Sequence, residues 1–123
     1  MTRVLPQSRA ANLVRNKANG ARKPDPLPRL LAYLIVRAGR ASEIERATSR
    51  PWASALFEGR RHVIRIRFRG ERAAERADAF PDGLDSVEFR LPGHFVADIQ
   101  VDASGQDADS PWVELSALTI ADW

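Results

Sequence analysis

Between His62 and Arg69 the chain reads HVIRIRFR, with Ile64, Ile66 and Phe68 alternating against Arg65, Arg67 and Arg69. Successive side chains of a strand point to opposite faces, so this is a half-buried strand with an apolar side and a cationic side. Residues 52–57 (WASALF) precede it across the glycine-containing EGRR, and the two are expected to pair as a hairpin. Further on, Val87, Phe89 and Leu91 alternate with Glu88 and Arg90. Phe95, Ala97, Ile99 and Val101 alternate with Val96, Asp98, Gln100 and Asp102, and residues 112–120 read WVELSALTI. Each of these three segments is expected to be a strand. Pro92-Gly93 occupies the central positions favoured in a type II turn. The polar, acidic stretch of residues 103–111 is expected to be a long mobile loop.

Two stretches carry a helical period instead. In residues 28–38, Leu27, Leu30, Leu31, Leu34, Ile35 and Ala38 share one face, with Pro28 suited to the first turn and Gly39 to the end. Ser42 and Glu45 have the spacing of a capping box, so a short helical turn is expected before Pro51. Gly70 to Phe80 places Ala73, Ala74, Ala77 and Phe80 on one stripe and closes in Pro81-Asp82-Gly83.

The expected architecture is therefore α+β: a single antiparallel sheet of about five strands in the order β-β-α-β-β-β. One main helix packs on one face, preceded by an N-terminal amphipathic helix and a disordered basic arm. Three segments follow: residues 1–26 as a flexible arm, 27–41 as amphipathic helix and linker, and 42–123 as the α+β domain. A sheet covered on one side only leaves its other face to water.

Charge sharpens that division. The net charge is +3, but residues 1–41 carry nine Lys/Arg against one acid, while residues 42–123 carry ten against fifteen. Basicity thus points to nucleic acid only through the arm, where Arg3, Arg9, Arg15, Lys17, Arg22 and Lys23 can neutralise phosphates without sequence preference. No aromatic residue interleaves them, so base stacking is not supported. On the sheet, Arg65, Arg67 and Arg69 form a second candidate anion-binding row, to be weighed against compensation by Asp98, Asp102 and Glu88 on neighbouring strands.

The chemistry of the rest is mostly exclusion. The chain has no cysteine, which removes disulfides and thiolate metal ligands and suits a reducing, cytoplasmic setting. Its longest apolar run, Leu30 to Val36, falls far short of the roughly 20 residues of a membrane span. Neither a nucleophile elbow nor a phosphate-binding glycine motif occurs, so no catalytic residue, cofactor or metal ligand is assigned. His94, Asp98 and Asp102 fall at even spacing, but strand residues four apart lie about 13 Å apart and do not share one metal.

The leading expectation is a small non-enzymatic binding or protein-interaction module, working through the sheet face or an edge strand, with self-association through residues 28–38 or an edge strand as one form. The alternative is weak, non-specific nucleic-acid binding through the arm, and the third is a small enzyme with an unrecognised site.

Overall fold

The computed structural model describes residues 24–108 and 110–122. Helix α1, Leu27–Ala38, opens the described chain, and its first turn is held by Asp25, whose Oδ1 accepts the Leu27 N–H at 3.0 Å. Strands β1 (Glu43–Ala53) and β2 (Glu58–Arg67) follow as a hairpin, then α2 (Ala73–Ala79) and a 3-10 turn at Leu84–Ser86. Strands β3 (His94–Gln106) and β4 (Pro111–Ala121) form a second hairpin. The four strands lie in the order β1-β2-β4-β3, every neighbouring pair antiparallel.

Both helices cover the same face, and the core lies there. Ile64, Ile66 and Phe68 are fully buried, beside Val113, Leu115 and Ala117 of β4 and beneath Leu30, Leu34 and Ala38 of α1. Phe68 meets Phe80 edge to face, with ring centroids 5.5 Å apart. The apolar stripe of α1 belongs to this core, so residues 27–38 and the sheet are packed as one body. One arginine fastens the assembly: Arg76 of α2 donates to the carbonyls of Ala38 (2.6 Å), Glu71 (2.8 Å) and Arg69, and to Ser42 Oγ (3.2 Å). It thereby joins the end of α1, the exit of β2 and its own helix. A Cβ on Gly39 would lie 2.6 Å from its Nη1, and Gly39 has φ +108°, so this position needs glycine twice over.

Several expectations require correction. There are four strands among the described residues, not five, because residues 87–91 make only one isolated bridge, Leu91 to His94. Phe89 instead packs edge to face on Tyr33, 5.4 Å away, and the Arg90 N–H donates to Tyr33 Oη, so the segment runs against α1 rather than beside a strand. The principal helix is α1, with 12 residues, and α2 is a short companion of 7. Residues 43–53 are strand rather than a helical turn. Ser42 Oγ caps nothing there, since it serves Arg76 and the Ala38 carbonyl. The hairpin turn falls at residues 54–57, where the Ser54 N–H donates to the Phe57 carbonyl at 2.8 Å, and EGRR lies within β2. Strand β3 runs to Gln106, which shortens the expected loop of 103–111 to a connection before Pro111. Pro92-Gly93 does turn the chain: Gly93 has φ +75°, and the His94 N–H donates to Leu91 at 3.0 Å.

Two register shifts in β3, between Val96 and Asp98 and between Val101 and Ala103, also break the expected alternation. Each inserted residue moves the preceding side chains to the other face. Phe95 consequently leaves the core face and is 43% exposed, while Val96, Ile99 and Val101 pack inward. The same bulge separates His94 from Asp98. His94 stands opposite Ala121 and Asp98 opposite Leu118, on different faces. Phe68→Ala should cost about 3–5 kcal/mol in denaturant unfolding, and Phe95→Ala less than about 1 kcal/mol. Equal losses would show that the two faces have been reversed.

Candidate functional site

The sheet face turned away from the helices has no element packed on it among the described residues. Pairing register sets out its side chains in rows across β1, β2, β4 and β3, because directly opposed residues point the same way. The first row is Trp52, Gly59, Ile120, Phe95, and the second is Arg50, Arg61, Leu118, Asp98. The third is Thr48, Val63, Ser116, Gln100, followed by Arg46, Arg65, Glu114, Ala103. A last row brings Arg67, Trp112 and Gly105 together.

One end of this face is apolar. Ile120 and Leu118 are buried at 3% and 8% although no helix covers them, so their neighbours on the face supply the shelter. Around them Val63, Phe95 and the hairpin residues Leu56 and Phe57 stay exposed. Residues 54–58 with Ala121 and Asp122 border a shallow depression of about 350 Å³ at the hairpin tip. Gly59 contributes only backbone to the first row, and it presses so closely on β4 that a Cβ would fall 2.0 Å from the Thr119 carbonyl oxygen.

The other end is ionic and internally paired. Arg67, nearly buried, donates to Asp107 Oδ1 at 2.7 Å, to the Ser110 carbonyl at 3.1 Å and to both oxygens of Glu45 at 3.0 and 3.1 Å. Its hydrogen bonds to Asp107 and then Glu45 raise its pKa above the already high arginine value. Arg65 stacks on Trp112 at 3.9 Å from the ring and lies 4.0 Å from Glu114, which also takes Arg46 at 3.1 Å. Trp112 in turn lies over Gly105, where a Cβ would meet the indole at 2.7 Å. Arg69 pairs with Glu43 at 3.0 Å. The row of Arg65, Arg67 and Arg69 is therefore matched by Glu114, Glu45, Asp107 and Glu43. Asp98 comes within 3.9 Å of Arg61 instead. Strand β4 lies between β2 and β3, which keeps Asp98 and Asp102 from the expected pairing with that row. Arg50, directly opposite Arg61, has no ion-pair partner among the described residues. Arg3, Arg9, Arg15, Lys17, Arg22 and Lys23 lie outside the described residues.

On the helix-covered face a polar cluster crosses three strands. His62 is fully buried, with Nδ1 2.6 Å from Ser49 Oγ and Nε2 2.8 Å from Thr119 Oγ1. Burial lowers its pKa to about 4. The charge of Arg60 and, more weakly, His94 add to the effect, and Asp25 opposes it. The imidazole is thus neutral at pH 7, with one ring nitrogen donating and the other accepting. A serine against an imidazole has the form of an activated nucleophile. Here the base is weak and wholly enclosed, so the cluster serves to satisfy buried polar groups and fix the register of β1, β2 and β4. Sequence reasoning missed Ser49 and Thr119, although His62, two residues before Ile64, could be read as inward by alternation. No group of three or more metal-ligating side chains occurs among the described residues. Among the described residues, no helix is long and apolar enough to cross a membrane.

No known family model matches the chain, and no curated protein or solved structure matches it.

Unfolded His62 titrates near 6.5 and folded His62 near 4, so the unfolded state binds more protons between these values. The stability due to the neutral imidazole is complete above about pH 6.5 and declines as pH falls toward 4, by about 3 kcal/mol in all. Urea unfolding of His62→Gln and the parent chain at pH 7 and pH 4.5 should show the smaller pH-dependent loss in the variant. Identical losses would remove His62 as the cause.

Proposed function

We propose that this chain is a small non-enzymatic interaction module whose working surface is the open sheet face. The observation that carries this reading is the apolar strip of exposed Val63 and Phe95 and half-buried Trp52 around Leu118 and Ile120, on a face that the fold leaves uncovered. Clustered exposed apolar side chains rimmed by charge are characteristic of contact surfaces. A catalytic reading would need convergent polar groups in a cleft. The shallow depression at the hairpin tip has only Glu58 and Asp122 as ionisable lining residues.

The face is favoured over the sheet edges. Strand β3 carries two bulges, and β1 carries one beside Glu45, together with Pro51, which has no N–H to offer an added strand. Such features discourage edge pairing. The apolar stripe of α1 is already packed inward, with Val36 its main exposed apolar side chain. Because the sheet arginines are largely paired internally, nucleic-acid binding would fall to the arm of residues 1–26.

A photoreactive amino acid placed at Val63 or Phe95 of the full chain should give crosslinked adducts in cells, and the same group at Val36 should not. Adducts from Val36 alone would move the working surface to the helix side.

A further inference from the structure

Resting on that reading of the open face, we propose that its occupant is the same face of a second copy of this chain, packed as an aligned sandwich. The row pattern is self-complementary about one particular two-fold axis, parallel to the strands and midway between β2 and β4. Rotation about that axis lays β1 over β3 of the other copy and β2 over β4, while every row meets itself reversed.

In the first row Trp52 then meets Phe95, and the sheltered Ile120 lies over the bare backbone of Gly59. In the second, Arg50, which has no ion-pair partner in its own described chain, meets Asp98, while Arg61 lies over Leu118. Val63 covers Ser116 in the third row, and in the fourth Arg65 meets Glu114 and Arg46 meets Ala103. No row sets like charges against each other. The other face-to-face two-fold, with its axis across the strands, would lay the second row over the fourth. It would oppose Arg50 to Arg46 and Arg61 to Arg65, a repulsive arrangement. Charge thus selects one isologous packing.

The dimensions fit. Four strands at about 4.8 Å and nine residues at about 3.3 Å give a face of about 19 by 30 Å. That is about 600 Å² per copy, at the lower end of specific interfaces and suited to a reversible dimer. Aligned sheet packing at about −30° keeps the central strands in register.

The test uses the purified full-length chain in sedimentation velocity over a range of concentrations. The parent should dimerise reversibly. Arg50→Glu opposes two carboxylates at each of the two equivalent contacts, and Asp98→Arg opposes two guanidinium groups. Each should weaken the dimer on the order of tenfold or more. An equimolar mixture of the two variants should restore it, because both contacts then join opposite charges, and the double variant R50E/D98R should dimerise alone. Both positions are exposed, and unchanged circular dichroism and melting would confirm that each variant folds. A parent that stays monomeric, a dimer indifferent to both substitutions, or folded variants that do not recover on mixing would each overturn the proposal. A monomeric parent that still gives adducts to other proteins from Val63 or Phe95 would leave the interaction surface standing and remove only the second copy as its occupant.

Discussion

The antiparallel pairing of β2 with β4 is the constraint on which the remaining structure depends. It sets Ile64 against Leu115 and Ile66 against Val113, and so creates a continuous apolar surface in the middle of the sheet. That surface needs a cover, and α1 and α2 supply it from one side only. Ordinary hydrophobic burial therefore makes a two-layer body and leaves the opposite face without a layer. Every feature of the open face follows from the register of this central pair and of the strands added outside it.

Polar groups reinforce the same pairing on both sides. Beneath the helices, neutral His62 links Ser49 of β1 to Thr119 of β4, satisfying side chains that burial would otherwise leave unpaired. On the open side Glu114 of β4 receives Arg65 of β2 and Arg46 of β1. Exposed ion pairs such as these contribute little individually, and their larger effect is to settle which charges remain available for a partner. The rows nearest Arg67 are internally balanced. Arg61 is within reach of Asp98, so the unmatched positive charge beside the apolar strip is that of Arg50.

How much of this was legible in the sequence varies by element. The segment from 62 to 69 was readable because its alternation is strict and its strand is central. Its arginines were readable as an outward row, but not their partners, since chain order does not reveal that β4 intervenes between β2 and β3. Strand β1 was obscured because its inner side is marked by Ile44, Ala47, Ser49 and Pro51, of which only Ile44 is a strong strand former, while Ser42 and Glu45 imitate a helix start. Residues 87–91 alternate as a strand does, yet Tyr33 rather than a neighbouring strand receives them. The misplacement of Phe95 has a single cause, the bulge at Ala97, and it concealed the apolar strip: periodicity assigned to the core a ring that belongs to the open face. Local pattern recorded which residues are apolar, and register decided where they point.

A sheet with one buried and one open face makes a direct demand on side-chain accessibility, which hydroxyl-radical footprinting of the dilute full-length chain can measure. Val63 and Phe95 should be oxidised readily, while Ile64, Ile66 and Phe68, neighbours of Val63 in the sequence, remain protected. Protection of Val63 and Phe95 to the same degree as Ile64 and Phe68 would mean that the face is already covered within a single chain, and it would then be no surface for a partner.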